Sequence, residues 1–211
     1  MVFFTNVIIH CYLFLFMAIH KLVNTSGIFY ITFTCYHWLP LIEQTNSYQF
    51  IYKWFDLLTS KGNAILGYII MPNHVHLILY FAGGPQSLNT VVGNGKRFIG
   101  YEIINRLNYQ NETTLLQQLQ AAVEAKDKSR GKKHELWQDS FDIKECRTEK
   151  FILQKLIYIH NNPCSGKWNL VKESYHYKHS SALFYFNGKP GYSQVKDYRD
   201  FLWIYDDKID V

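Results

Sequence analysis

Residues 67–80, with the sequence GYIIMPNHVHLILY, form the most informative stretch of this chain. The run is strongly apolar, and the dipeptide Pro72-Asn73 interrupts it once. A short proline-containing break between two extended apolar runs favours a tight antiparallel connection. We therefore predict two neighbouring strands, over residues 64–71 and 74–81.

The second of these strands carries two histidines one residue apart. Side chains alternate between the faces of a strand, so His74 and His76 are expected to share one face while Val75 points into a core. Two imidazoles side by side on a strand can form half of a divalent metal site. They can equally form a polar, half-exposed face without a ligand, and spacing alone does not separate these two interpretations.

The remaining elements follow from apolar periodicity and from capping residues. They are a strand over 28–36, a helix over 48–60 capped by Ser47, a helix over 88–107 capped by Ser87, an extended segment over 136–143, and a helix over 149–160 capped by Thr148. The order strand, helix, strand, strand, helix, strand is the split βαβ arrangement of a ferredoxin-like α+β fold. We expect an antiparallel sheet with helices on one face and a site on the other.

Two segments are less regular than this plan. Gly93, Gly95 and Gly100 weaken the helix predicted over 88–107, or they mark close packing. Residues 108–133 are interpreted as a polar insertion with a mobile, solvated, charged end, and phosphate contact by that end is the alternative.

The helix predicted over 149–160 leads into a second unusual string, YIHNNP at residues 158–163. Tyr158 and Asn162 are four residues apart and therefore share one helix face. A phenol can act as a nucleophile towards phosphorus, and an amide oxygen can complete a metal site with two imidazoles. Core packing for Tyr158 and a helix C-cap for Asn162 are the plainer alternatives, and spacing does not select Tyr158 among 16 tyrosines.

Composition limits the class of protein. The chain has 211 residues with 16 Tyr, 15 Phe and 5 Trp, which favours a packed globular domain over disorder. A net charge of +5 is compatible with a polyanionic partner without establishing one. The four cysteines form no C-x-x-C pair, and free thiols in a reducing cytoplasm are the expected state.

The ends of the chain are predicted to lie outside the catalytic unit. Residues 1–16 are apolar but short for a membrane span, and we interpret them as a spurious or unstructured extension. Residues 17–186 are predicted to form one catalytic domain, and residues 187–211 a tail that packs on this domain or extends it. A membrane anchor formed by residues 2–16 is the alternative for the N-terminus, whereas the leading interpretation has no membrane partner.

Three strings in this order, GYIIMPNHVHLIL, LWQDSFDIKE and YIHNNP, resemble the HUH superfamily of single-strand DNA transposases. The likeness is strongest to the REP-associated tyrosine transposases, and it extends from about residue 27 to about residue 181. It implies that His74, His76 and Asn162 bind a divalent cation, Mg or Mn. It also implies that Tyr158 is the nucleophile.

The resemblance further implies a reaction and a partner. The reaction is nicking and strand transfer through a 5′-phosphotyrosine, and the partner is single-stranded or hairpin DNA bound by a monomer or homodimer. Lys96 and Arg97 are candidates for contacts with the DNA backbone, and His160 is expected to be structural. The rival interpretation is a domesticated, non-cleaving DNA-binding module of the same fold.

Overall fold

The computed structural model describes residues 23–138, 142–166, 168–189, 191 and 194–206. The predicted N-terminal extension over 1–16, and with it the alternative membrane anchor, lies outside the described residues. In the described part, no helix is long and apolar enough to span a bilayer. The three cysteines found there are free thiols.

A four-stranded antiparallel sheet organises the fold. Its strands are β1 (Gly27–Thr34), β2 (Ala64–Ile70), β3 (His74–Phe81) and β4 (Asp142–Glu145), in the spatial order β2-β3-β1-β4. Every neighbouring pair is antiparallel. This confirms the predicted α+β fold class with its split βαβ order.

The connection from β2 to β3 is as tight as its sequence predicts. Three residues separate the strands, and the backbone N–H of Met71 donates to the carbonyl of His74 across 2.8 Å. The last predicted strand begins later than expected, because regular pairing starts at Asp142 and Trp137 makes only an isolated bridge to Cys35. Residues 139–141 of that prediction are outside the described residues.

One face of the sheet is covered by the helices that precede β2 and follow β3. They are α1 (Leu41–Gln44), α2 (Tyr48–Ser60) and α3 (Leu88–Tyr109). Ser87 caps α3 as predicted, accepting from the backbone N–H of Thr90 at 3.2 Å. Ser47 is the N-cap residue of α2, as predicted, but its hydroxyl lies 2.6 Å from that of Thr45 and makes no cap bond to the helix.

The glycines of α3 do not interrupt the helix, which runs continuously for 22 residues. Gly95 marks a close approach instead, since a side-chain carbon at this position would clash with the indole of Trp54 on α2. Gly93, two residues earlier, has open space around it. The absence of a side chain at Gly95 therefore lets α2 and α3 pack closely over β1 and β3.

The predicted polar insertion is largely helical, contrary to expectation. It contains α4 (Thr113–Ala121) and α5 (Ala125–Lys128). Leu119 on α4 is fully buried, and its carbonyl accepts from the N–H of Glu135 at 2.8 Å. The prediction of a polar insertion followed the local excess of polar residues and missed a short apolar stripe. The helix α4 buries this stripe against the core beside α3.

The second face of the sheet is also covered over part of its length. It packs against α6 (Glu149–Asn161) and the elements that follow, and these form a separate apolar cluster. Gly67 permits the contact, since a side-chain carbon there would lie 2.6 Å from Leu156 of α6. The elements after α6 include the helices α7 (Ala182–Asn187) and α8 (Trp203–Asp206).

Several of these C-terminal contacts reach the sheet backbone. Tyr205 accepts a hydrogen bond from the N–H of Ile28, and Tyr185 donates to the carbonyl of Leu66. The last described residues thus belong to the same packed unit as the strands.

The close approach at Gly95 generates a stability prediction. Gly95→Ala is expected to lower the free energy of unfolding by about 1–3 kcal/mol, because the added methyl forces Trp54 or α3 to shift in a packed core. Urea unfolding followed by tryptophan fluorescence measures this change.

Gly93→Ala is the matched control on the same helix. Its methyl meets nothing within 4 Å, and alanine is favoured over glycine in helices by about 1 kcal/mol, so this variant should be as stable as the parent or more so. Equal unfolding free energies for the two variants would contradict the packing described for α2 and α3.

Candidate active site

The two histidines of β3 lie on the sheet face that meets α6, as their alternation predicts. Val75 and Leu77 belong to the core under α2 and α3, whereas Ile78 belongs to the core under α6. His74 and His76 are both buried, at 4% and 5% exposure, and their ring centroids are 4.8 Å apart. A buried imidazole pair of this kind requires hydrogen-bond partners.

The partners of His76 come from the adjacent strand. Thr32 of β1 is the direct cross-strand neighbour of His76, and Tyr30 lies two residues earlier on the same face. Their hydroxyl oxygens are 2.7 Å and 2.8 Å from Nδ1 of His76. In the tautomer that carries the proton on Nδ1, this nitrogen donates to the hydroxyl oxygens and the Nε2 lone pair points towards α6.

The partner of His74 comes from the turn before β3. Nδ1 of His74 lies 2.6 Å from the side-chain oxygen of Asn73, which is fully buried. The amide nitrogen of Asn73 donates to the carbonyl of Trp38 at 2.9 Å, and this bond fixes which way the amide points. His74 therefore donates from Nδ1 to this oxygen.

The turn that carries Trp38 has an unusual backbone. His37 and Trp38 have φ angles of 48° and 59°, in the left-handed region that non-glycine residues rarely adopt. The Trp38 ring is 51% exposed and stands edge-on to His74, with centroids 5.9 Å apart. The hydrogen bond from Asn73 holds this strained turn against the site.

The helix α6 supplies the other half of the site. The Tyr158 ring lies 5.4 Å from the His76 ring at an interplanar angle of 67°, and it is half exposed. The side-chain nitrogen of Asn162 lies 3.4 Å from Nε2 of His76. The helix face with Tyr158 and Asn162 thus meets the strand face with the two histidines, and both faces come from one chain.

His160 faces away from this cluster and fixes the helix. Its Nε2 is 2.9 Å from the hydroxyl of Ser181, which also accepts from the N–H of Tyr68 and donates to the Tyr68 carbonyl. Burial lowers the pKa of His160 to about 4, so the ring is neutral at neutral pH. The expectation that this residue is structural agrees with its position.

Burial also governs the protonation of the site. The pKa of His76 is well below its ordinary value, mainly because of burial and further because His74 and Lys155 are close. Burial raises the pKa of Tyr30, and this phenol remains protonated. His76 is therefore neutral at neutral pH, which is the form of imidazole that binds a metal.

The donor atoms in this cluster fit a divalent cation of the Mg or Mn type. In the described part of the chain, no group of three or more His, Cys, Asp and Glu side chains is close enough to hold an ion. The Asn162 amide, whose nitrogen lies 3.4 Å from Nε2 of His76, would supply an oxygen ligand to such an ion after the amide group rotates about its side-chain bond. Such a set leaves coordination positions for water and phosphate oxygens.

The two predicted DNA contacts on α3 are not brought to this cluster. The apolar side of α3 packs on the opposite face of the sheet, and Arg97 is exposed there beside Asn94. Lys96 lies near the buried Cys35, whose thiol pKa is raised by burial to about 12 although the lysine opposes this. Contact of Lys96 and Arg97 with a DNA backbone stays a prediction.

Five residues of the site were not identified from the sequence: Tyr30, Thr32, Trp38, Asn73 and Lys155. The signals for three of them were present. Alternation on β1 places Tyr30 and Thr32 on one face, and antiparallel pairing with β3 puts that face beside the histidines. Asn73 directly precedes His74 within the quoted string. Trp38 and Lys155 reach the site only through tertiary packing.

Comparison with known proteins supports the fold described above. No family model matches the chain, and no curated protein is significantly similar to it in sequence. A solved structure of a REP-associated tyrosine transposase bound to a REP hairpin is similar, with a TM-score of 0.52 and 18% sequence identity. The match covers 82% of this chain and 87% of that one. The fold of this protein is the fold of that transposase.

Proposed function

We propose that this protein is a metal-dependent enzyme that nicks single-stranded or hairpin DNA and transfers the strand through a 5′-phosphotyrosine. One observation carries the proposal: Tyr158 on α6 and Asn162 at the C-cap of that helix lie against His76 of β3, at the distances given above, within one chain. The transposase of the same fold, which was solved with a REP hairpin, supports DNA as the substrate class.

The residues of the cluster have distinct roles in this proposal. His74 and His76 through Nε2, and Asn162 through its amide oxygen, would hold a Mg or Mn ion, which when bound polarises the scissile phosphate. Tyr30, Thr32 and Asn73 orient the two imidazoles through Nδ1. The half-exposed position of Tyr158 leaves its hydroxyl accessible to a phosphodiester.

The reaction is a phosphoryl transfer from a sugar oxygen to tyrosine. The phenol oxygen of Tyr158 forms a bond to phosphorus, and the bond from phosphorus to the 3′ oxygen breaks. The phenolic proton passes to water, and the departing 3′ oxygen takes a proton from water. The scissile phosphate remains a diester in the 5′-phosphotyrosine. Attack on this phosphate by a 3′ hydroxyl therefore rejoins DNA and releases Tyr158 without a further energy source.

The surroundings of the cluster favour unpaired DNA. The Trp38 ring is half exposed beside His74, and it offers a face on which a base can stack. Stacking on an aromatic side chain requires a base that is not already paired and stacked within a duplex. The net charge of +5 is of the sign required for a polyanion.

The nucleophile is tested by Tyr158→Phe. This variant keeps the ring contact with His76 but removes the attacking oxygen, so it should bind a hairpin oligonucleotide as the parent does while forming no covalent adduct. A denaturing gel with end-labelled hairpin DNA and Mn²⁺ detects the adduct.

Tyr101→Phe, at an exposed position on α3, is the matched control and should form the adduct normally. Adduct formation by Tyr158→Phe would reject the assignment of the nucleophile. Hairpin binding without an adduct by the parent protein would support the non-cleaving DNA-binding module instead.

The metal site is tested by calorimetric titration with Mn²⁺. His74→Ala should abolish binding, and EDTA should stop nicking by the parent protein. Asn73→Ala should weaken Mn²⁺ binding about 10–100-fold, because the hydrogen bond that orients His74 is lost.

His176→Ala provides the control, since this exposed histidine lies outside the cluster and its loss should leave Mn²⁺ affinity unchanged. Unaltered Mn²⁺ binding in His74→Ala, or nicking that persists in EDTA, would show that the proposed metal site is wrong.

A further inference from the structure

Lys155 lies beside the proposed nucleophile, and the roles described so far do not include it. It is on α6, one turn before Tyr158, and it is half-buried. Its ammonium nitrogen is 4.8 Å from the ring centroid of Tyr30, 5.0 Å from that of Phe151 and 6.0 Å from that of Tyr158. Three aromatic rings thus surround one cation at the edge of the cluster.

The charge of Lys155 acts on the interior of the site. It contributes to lowering the pKa of His76, and it opposes the rise in the pKa of Cys146 that burial causes. No ion pair or hydrogen bond joins its ammonium group to another residue in the described part of the chain. Contact with aromatic faces leaves its N–H groups available to an anion.

The helix arranges three functional groups along one face. Lys155 and Tyr158 on α6 and Asn162 at its C-cap have the spacing i, i+3, i+7. The C-cap keeps a right-handed helical backbone, so the three residues lie on the same side of the helix. Tyr158 stands in the middle, with the cation on one side and the amide beside His76 on the other. A phosphate that meets the phenol of Tyr158 therefore lies within reach of Lys155.

We propose that Lys155 is a further catalytic residue, which donates a hydrogen bond to a non-bridging oxygen of the phosphate that Tyr158 attacks. This inference rests on the proposed function. The phosphate gains negative charge as the phenol oxygen adds to phosphorus, and a fixed cation in a partly buried site stabilises this charge more than the ground state. The proton stays on Lys155, and the bonds formed and broken are those already given.

The rings of Tyr30 and Phe151 have a supporting part in this role. They hold the ammonium group over β1 through cation–π contacts, so the group needs little reordering when DNA binds. Tyr30 also contacts Nδ1 of His76, so one side chain positions both the imidazole and the cation.

The test compares Lys155→Met with the parent protein on two hairpin substrates. One carries the natural phosphodiester, and the other carries a methylphosphonate at the scissile position, with its two diastereomers separated. The methylphosphonate is neutral, because a methyl group replaces one of the two non-bridging oxygens that share the negative charge. The rate of adduct formation is measured in single turnover with Mn²⁺. Lys155→Met should be slower by about 10²-fold on the phosphodiester and equal to the parent on the methylphosphonate diastereomer in which methyl replaces the oxygen that Lys155 contacts.

Two further variants sharpen the comparison. Lys155→Arg should retain most of the rate on the phosphodiester, because it keeps the charge and the donors. Lys150→Met removes an exposed lysine from the first turn of α6 and should leave both rates unchanged. If Lys155→Met does not fold, as judged by its melting temperature, Lys155→Gln gives the same comparison with a polar side chain.

The outcomes separate this inference from the proposed function. Slowing by the same factor on the phosphodiester and on both methylphosphonate diastereomers indicates a packing role and overturns the inference alone. Unchanged rates in Lys155→Met also overturn it. Failure of the parent protein to form any adduct with the phosphodiester overturns the proposed function and this inference together.

Discussion

The placement of the His76 imidazole is the constraint on which the site depends. The ring is buried between two elements. Hydroxyls of β1 lie at Nδ1, and the C-terminal end of α6 supplies the Asn162 amide at Nε2 and the Tyr158 ring alongside. A buried imidazole without partners would be costly, so β1, β3 and α6 are held to one relative position. The same contacts orient Nδ1 of His76 towards β1 and Nε2 towards Asn162.

The two-sided sheet explains how so small a domain keeps this arrangement rigid. One face packs under α2 and α3, where Gly95 permits close approach, and the other packs under α6, where Gly67 does so. The hydrogen bonds of Ser181 to His160 and Tyr68 fasten the end of α6 to β2. Packing against α2 and α3 on the first face thus holds β3 in place, and the candidate site lies on the second face.

Local patterns predicted the strands, the main helices and the shared face of the histidines, because alternation and helical spacing are properties of neighbouring residues. The spacing of Tyr158 and Asn162 was also visible, but the choice of Tyr158 came from a resemblance to known transposases. Contacts between distant segments were not predictable in this way: the hydroxyls of Tyr30 and Thr32 reach His76 only through strand pairing, and Lys155 reaches Tyr30 only through helix packing. Ser47 makes no side-chain cap bond, because its backbone lacks the extended conformation of a capping residue, with φ −87° and ψ 10°.

The central claim is that one tyrosine, held against a buried histidine pair, becomes covalently attached to DNA. The most direct measurement is peptide mapping by mass spectrometry after the parent protein has reacted with a hairpin oligonucleotide and Mn²⁺. We predict a single modified peptide that carries a 5′-phosphonucleotide on Tyr158. A modification on any other tyrosine, or no modified peptide when the hairpin is bound, would contradict the account.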